Sequence, residues 1–308
     1  MLPATFQSEL EGKRIFITGG TGTFGKWLLD EIKSIECELV LLTRDATRFL
    51  ESPPEFVFGN IKFVEGDVRD FDYPEGRFDY IIHAATPVVS DELGDTELTD
   101  MIVAGTKRVL DFAVRCRCQR LLYVSSGAVY GAQPPELDRI PETFLCAPVS
   151  AYGEGKLMAE NLCLNSEVPS IIARCFAFVG PGMPLDAHFA IGNFIGSCIR
   201  NEPIVINGDG TPLRSYMYSA DLAEWLFILL INGYVGEVYN VGSEESISIR
   251  ELAELVCELT KRQPDFCDTV LPSKEQLPER YIPSTYKTQH DLGLVCRVEL
   301  QKAILLSL

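Results

Sequence analysis

The sequence predicts an α/β protein: a Rossmann-type doubly wound parallel sheet over residues 1–180, with residues 181–308 mostly building a smaller lobe. Three observations predict it. Short β-rich runs alternate with helical patterns through the first half, the signature of parallel β-α-β units. Those strand runs are continuously apolar, as strands buried on both faces must be. A glycine-rich turn stands between the first strand and the first helix. At 308 residues the chain exceeds a typical domain, roughly 100–200 residues, but α/β folds often exceed that as one unit.

Taken in order, RIFITGG (14–20) reads as a strand and turn, and KWLLDEIKSI (26–35) as an amphipathic helix. LVLLT (39–43), IKFVEGDV (61–68) and YIIHAA (80–85) follow as strands, then MIVAGTKRVLDFAVR (101–115) as a helix. RLLYVSS (120–126) is a strand, YGEGKLMAENLCL (152–164) a helix, and SIIARCFAF (170–178) a strand. After Gly180 the breaker cluster GPGMPLD changes the texture. AIGNFIGSCI (190–199) is expected as a helix and PIVING (203–208) as a short strand. Residues 238–260 hold a strand, a loop and a helix whose Ser248 and Glu251 fit a capping box. The proline-rich 264–283 reads as loop, and VELQKAILLSL (298–308) as a closing helix. Some segments beyond residue 180 are expected to return to the large sheet.

Composition excludes several function classes. The formal net charge is −17 and the basic residues are dispersed, which repels nucleic acid and anionic lipid surfaces. No stretch is long and apolar enough to span a bilayer, and MLPATFQSELEGKR carries no secretion signal, so a cytoplasmic protein is expected. The ten cysteines contain no C-x-x-C pair, and the three histidines, His83, His188 and His290, are scattered. Reduced, mostly buried thiols and no metal site are the expectation. An anionic small substrate would need local cations against the global field.

Gly19, Gly22 and Gly25 form G-x-x-G-x-x-G within TGGTGTFG (18–25), with Thr23 and Phe24 opening the helix. Glycine there gives a tight turn, close backbone approach to a pyrophosphate, and close helix–strand contact. The helix N-terminus adds unpaired N–H groups for the phosphates. A nicotinamide dinucleotide, NAD or NADP, is the cofactor this predicts. At the end of the second strand, Arg44 favours a 2′-phosphate and tilts the choice towards NADP, while Asp45 keeps the 2′-hydroxyl of NAD in play.

Tyr152-Gly-Glu-Gly-Lys156 is Y-x-x-x-K, which sets a phenol and an ammonium on one helical face. An ammonium beside a phenol favours the phenolate, the form that takes a proton from a sugar or alcohol hydroxyl during hydride transfer. SSGAVYG (125–131), at the end of an apolar strand, offers a hydroxyl to the same reaction.

Together with GDV (66–68), HAA (83–85), RCFAFVGP (174–181), GDGTPLRSYMYSADL (208–222) and YNVGS (239–243), these motifs resemble the extended short-chain dehydrogenase/reductases. Within them the match is to the nucleotide-sugar epimerase/dehydratase family, and it covers nearly all of the chain. The resemblance implies a nucleotide-diphosphate sugar as substrate, Tyr152 as base, Lys156 on the nicotinamide ribose and Ser126 on the reacting oxygen. It further implies Asp67 and Val68 beside the adenine, and Ala84 and Ala85 lining the cofactor. Arg214 would grip the nucleotide diphosphate, with Asn193 a candidate phosphate contact. A homodimer through the helices near 101–117 and 151–166 is also implied. His188, alone in its segment, reads as structural or surface.

The chain departs from the family in two places. Gly127 and Ala128 stand where the dehydratases carry Asp then Glu, and the decarboxylases a glutamate at the second place. Ala177 stands where many relatives have asparagine. Elimination of water needs an acid and a base that neither Gly127 nor Ala128 supplies. Epimerisation at sugar carbon 4 needs neither, and is the reaction expected. Alternatives are an NADPH-dependent 4-ketoreductase, a dehydratase or decarboxylase with relocated acids such as Glu154, and a catalytically silent dinucleotide-binding regulator.

Overall fold

The computed structural model describes residues 2–51, 61–86, 94–187, 189–269 and 277–308. After helix α1 (Ala4–Leu10) the chain runs β1 (Arg14–Thr18), α2 (Thr23–Ile32), β2 (Glu38–Thr43), α3 (Ala46–Glu51), β3 (Ile61–Glu65) and β4 (Tyr80–His83). It continues through α4 (Asp95–Arg115), β5 (Arg120–Ser126), a 3-10 turn (Gly127–Tyr130), α5 (Ala151–Leu164), β6 (Ser170–Cys175) and β7 (Ala177–Val179). The remainder is α6 (Ala190–Arg200), β8 (Ile204–Ile206), β9 (Leu213–Tyr218), α7 (Ser219–Asn232), β10 (Val238–Val241), β11 (Ser246–Ser248) and α8 (Ile249–Leu259). Strands β12 (Phe266–Asp268) and β13 (Arg280–Tyr281) and helices α9 (Tyr286–Leu292) and α10 (Leu300–Leu305) close it.

Among the described residues, seven strands form one parallel sheet in the order β10-β6-β5-β4-β1-β2-β3. The order reverses between β1 and β4, and ligands of doubly wound sheets bind outside the strand ends at such a switch point. One sheet face packs against α2 and α7, and the other against α4 and α5. Strands β1, β2, β4, β5 and β6 are buried along nearly their whole length, which is why they read as unbroken apolar runs.

Segments past residue 180 contribute to both parts of the molecule. β10 is the last strand of the large sheet, beside β6, and α7 lies within the core on its α2 face. A second sheet joins β11, β9 and β13, with β7 also on β9, and a separate core holds α6, α8 and α10. Ser248 caps α8 and Glu251 answers it, forming the expected capping box.

Several elements differ from the sequence expectation, each for a physical reason. α7 (SADLAEWLFILLIN) is buried on every side, so it has no amphipathic period by which to be recognised. The run 170–178 divides into β6, in the large sheet, and β7, in the second, with Phe176 between them. The proline-rich stretch contributes β12 and β13, whose two or three residues are too few to show a period. No helix among the described residues is long and apolar enough to cross a membrane. His188 lies outside the described residues.

Candidate active site

The glycine turn closes against the switch point. Gly19 adopts φ +75°, and a Cβ there would lie 2.8 Å from the Ala85 nitrogen and 2.9 Å from the Ala84 carbonyl carbon. Only glycine lets the end of β1 approach the end of β4 in this way. Gly25 is tighter still: its Cβ would sit 2.2 Å from the Gly20 carbonyl, so α2 begins directly against the turn. Gly22 is the N-cap of α2 and offers no side chain, leaving the first-turn N–H groups, Thr23 and Phe24 among them, free of a side-chain cap. A dinucleotide pyrophosphate fits this cradle, because backbone donors face it and no side chain obstructs it. Phe24 packs edge-on to Phe178 at 5.2 Å, which fixes the start of the helix.

Below the cradle, the Thr18 hydroxyl takes the Ala85 N–H at 3.1 Å and reaches His83 Nδ1 at 2.8 Å. Thr106 donates to the Ile102 carbonyl, so it accepts from His83 Nε2–H at 3.1 Å. The ring is therefore neutral with its proton on Nε2, and burial pushes its pKa down to about 3. His83 is a structural pin under the cofactor cradle.

At the far side of the cradle Asp67 accepts from Arg69 at 2.7 Å, which holds its carboxyl below the usual range, with Arg44 adding a smaller pull. Val68 sits where a side chain at Gly105 of α4 would fall, 2.8 Å from its Cβ position. Arg44 and Asp45 are both exposed at the end of β2, and Asp45 accepts the Arg48 N–H at 2.9 Å.

Ser126 ends β5 in an extended conformation, and its hydroxyl accepts the Ala128 N–H at 3.2 Å. Tyr152 comes to it from the first turn of α5, capped by Ser150. The two glycines of YGEGK explain how. A Cβ on Gly153 would lie 2.7 Å from the Ala128 carbonyl oxygen, and one on Gly155 3.1 Å from Ile102. Glycine in a helix costs about 1 kcal/mol against alanine, and here it lets α5 touch the turn that carries Ser126. Lys156 is buried one turn on, donating to Thr86 Oγ1 at 2.6 Å and to the Val124 carbonyl at 2.8 Å. An ammonium has three protons, so one remains for a ligand in the cleft.

The electrostatics differ from the sequence expectation. Lys156 Nζ stands 5.8 Å from the Tyr152 ring centroid and spends two bonds elsewhere. Burial instead pushes the Tyr152 phenol up to about 12, with hydrogen bonding to Ser126 pulling the other way. Burial also lowers Lys156 to about 8. Without a ligand, the phenol is neutral at neutral pH.

A second phenol, missed by sequence reasoning, enters from β13. Tyr281 pairs with Arg214 of β9 in the strand register and packs on Phe176 at 4.7 Å between centroids, the rings tilted by 37°. Its Oη lies 2.6 Å from where a Cβ of Gly127 would be, within hydrogen-bonding reach of Ser126. Phe176 stands 2.9 Å from that same Cβ position, so a side chain at Gly127 would need the Tyr281 and Phe176 side chains to move aside. Ala128 is inert and Glu154 is exposed, so neither brings an acid to Ser126. Thr86, the Lys156 partner, was also missed, as it follows the quoted HAA by one residue.

Arg214 is partly buried, donates to the Leu213 carbonyl at 2.9 Å, and has Glu279 at 3.8 Å. In the strand register it pairs with Tyr281, and its charge lowers the pKa of Tyr216 and Tyr281. Asn193 stands in the first turn of α6, partly buried, its N–H bonded to the Phe189 carbonyl. No group of three or more potential metal ligands occurs among the described residues.

Comparison with known proteins establishes the fold and the family. UDP-glucuronic acid decarboxylase 1 of Arabidopsis thaliana is 31% identical over 304 residues, spanning 94% of this chain and 68% of that protein. The solved UDP-glucuronic acid 4-epimerase of Bacillus cereus superposes with a TM-score of 0.84 at 22% identity, covering 96% of this chain and 97% of the other. UDP-glucose 4-epimerase of Thermotoga maritima gives 0.81 at 21% identity, with the same coverage. With residues 15–242 matching its family pattern from end to end of the large sheet, the chain is an enzyme of the NAD dependent epimerase/dehydratase family.

Proposed function

We propose that the protein is a nucleotide-sugar 4-epimerase, with Ser126, Tyr152 and Lys156 as its reacting set. One observation supports the reading: a side chain at residue 127 would run into the Tyr281 and Phe176 side chains, and neither Gly127 nor Ala128 carries a carboxylate. A site without an acid–base pair beside the reacting carbon suits oxidation and reduction at carbon 4, and does not suit elimination.

Gly19, Gly22, Thr23, Phe24 and Gly25 would hold the pyrophosphate, Asp67 and Val68 the adenine, Ala84 and Ala85 the inner wall, and Lys156 the nicotinamide ribose. A bound NAD would supply the acceptor and donor of hydride for carbon 4, and its oxidised ring would add a positive charge beside Tyr152. The chain's own work is proton transfer and orientation. Ser126 donates a hydrogen bond to the 4-oxygen while Tyr152, in the phenolate form that the cofactor's positive ring would favour, takes that oxygen's proton, leaving a 4-ketone once the hydride has gone. After the sugar has turned over, Tyr152 returns the proton to the same oxygen, and the 4-hydroxyl has inverted. Arg214 supplies the cation that a diphosphate requires against the acidic background, with Asn193 a further candidate phosphate contact. NAD is the cofactor of this reading, in keeping with the family; the tilt towards NADP rests on Arg44 alone.

The lobe division at residue 180 belongs to the same proposal, with the cleft between the large sheet and the second sheet receiving the sugar. Val114 on α4 and Met158 and Leu164 on α5 leave apolar surface exposed. We assign that surface to a homodimer of the chain.

A second reading, decarboxylation of a nucleotide-linked uronic acid, is favoured by the decarboxylases among the relatives. A panel of UDP-, dTDP-, CDP- and GDP-sugars, with and without NAD(P)H, separates the two. The expected product has unchanged mass and an inverted carbon 4. Loss of carbon dioxide, loss of water, or stoichiometric consumption of NADPH would each replace epimerisation. Tyr152→Phe should lower turnover roughly 10²–10⁴-fold, and an unchanged rate would remove Tyr152 from the chemistry.

A further inference from the structure

Lys156 of α5 meets Thr86 of the segment that leaves β4, and that segment is anchored on β1. The Thr18 carbonyl takes the Ala84 N–H at 3.2 Å, and the Thr18 hydroxyl takes the Ala85 N–H at 3.1 Å. Thr86 Oγ1 accepts from Lys156 Nζ at 2.6 Å, and the Val124 carbonyl of β5 accepts a second ammonium proton at 2.8 Å. The Tyr123 ring centroid lies 5.0 Å from the same nitrogen. Two of the three protons of this buried ammonium are thereby engaged, and one remains. A hydroxyl that accepts from an ammonium still has its own proton to give. Among the described residues, Thr86 gives it to none.

We propose that Thr86 is a cofactor-binding residue of this site: its oxygen fixes the Lys156 ammonium, and its hydroxyl proton goes to the nicotinamide ribose next to the bond from Lys156. The inference rests on the assignment of Lys156 to that ribose. A ribose carries hydroxyls on adjacent carbons, and Lys156 alone has one proton left for them. With Thr86 the wall offers two donors, 2.6 Å apart, to two neighbouring acceptors. Threonine also suits the task by its stiffness, because branching at Cβ restricts χ1 and holds the oxygen in place. The four-carbon stem of lysine is flexible, so an anchor on its head removes rotamer freedom before a ligand arrives.

The anchor also bears on charge. Burial brings the Lys156 pKa down to about 8, and a hydrogen bond accepted from an ammonium favours the charged form against that pressure. The other titratable groups facing Lys156 are Tyr152, Glu160 and Cys163 of its own helix, Cys175 of β6, Tyr123 of β5 and His83 of β4. Burial keeps the two phenols and the two thiols protonated and His83 neutral at neutral pH. Glu160 is paired with Arg174. Among the described residues, Thr86 and the Val124 carbonyl are thus the groups that hold the ammonium by hydrogen bonds.

Thr86→Val removes the hydroxyl and keeps the branched shape, while Thr86→Ser keeps the hydroxyl. NAD and ADP-ribose both carry the second ribose, and ADP stops short of it. Calorimetric titration at about pH 6, where the ammonium stays charged, separates the roles. Thr86→Val should bind NAD and ADP-ribose roughly 3–10-fold more weakly than the parent, with ADP unchanged and Thr86→Ser close to the parent. Parental NAD affinity in Thr86→Val, an equal loss on all three ligands, or no recovery in Thr86→Ser would each overturn the proposal. In ligand-free protein carrying ¹³Cε-labelled lysine, the Lys156 resonance is assigned by its loss in Lys156→Met and followed against pH. Its pKa should fall by roughly 0.5–1.5 in Thr86→Val, because the charged form loses an acceptor, and should return in Thr86→Ser. An unchanged or raised value would mean that Thr86 does not hold the ammonium, which also overturns the proposal. Should Thr86→Val fail to fold, Thr86→Ala is read with the same signs. Lys156→Met tests the assignment beneath: parental NAD affinity there would remove the lysine from the ribose and Thr86 with it. A loss in Lys156→Met with none in Thr86→Val would remove Thr86 alone. No sugar enters these measurements, so the assigned reaction is tested separately.

Discussion

Lys156 illustrates how a buried charge is set by its immediate partners. Its ammonium is held by Thr86 and the Val124 carbonyl, and burial brings its pKa to about 8. Because the folded value lies below the ordinary one, the charged form is full below about 8 and is lost as pH rises through it. A ribose held by that ammonium should therefore bind less tightly at alkaline pH. NAD affinity, followed by quenching of tryptophan fluorescence, should fall across this window in the parent protein. In Lys156→Met it should be roughly 10–100-fold weaker at neutral pH and indifferent to pH over the same range. A parent affinity that does not change with pH would separate Lys156 from the ribose. Tyr152 carries the opposite lesson: the Y-x-x-x-K spacing names the pair, but burial and the Ser126 hydrogen bond set the phenol's acidity in the ligand-free chain.

At the scale of elements, close approaches decide where the chemistry stands. The turn before α2 works because Gly25 allows a carbonyl within 2.2 Å of where a methyl group would be. Gly25→Ala should cost about 1–3 kcal/mol of stability through overpacking, and should weaken NAD binding at the same time because the displaced turn carries the phosphate donors. Thermal unfolding with and without NAD measures both, and a variant with parental stability and parental NAD stabilisation would show that the turn can yield. Most of these elements were legible in the sequence, since a glycine turn, an apolar strand and an amphipathic helix each announce themselves within a few residues. α7 was not, as its burial on all sides erases the period. Neither was β13, whose two residues acquire meaning only from their pairing with β9.

Across the whole molecule, the buried Glu160–Arg174 pair joins α5 to β6 beneath the reacting groups. Glu160 accepts from Arg174 Nη2 at 2.7 Å and from the Ser125 hydroxyl at 2.5 Å. Arg174 also lies 4.7 Å over the Tyr130 ring. Arg174→Met leaves a carboxylate buried without its partner and should cost about 3–5 kcal/mol in urea unfolding. The double variant with Glu160→Leu should recover much of that loss, because the charge leaves with its partner. If the double variant were as unstable as the single one, packing rather than charge would be what Arg174 supplies.

The sequence by itself determined the parallel sheet, the glycine turn before α2, the Ser126 strand end, and the placing of Tyr152 and Lys156 on one helical face. Each of these is written in neighbours a few residues apart, where backbone geometry follows directly from residue type. Only the tertiary structure decided that Thr86 and Val124 orient Lys156, that Tyr152 is neutral before any ligand arrives, and that Tyr281 and Phe176 crowd the space beside Gly127. These depend on the register of β13 on β9 and on how much water the closed core excludes, and both are properties of the assembled fold that no local pattern encodes.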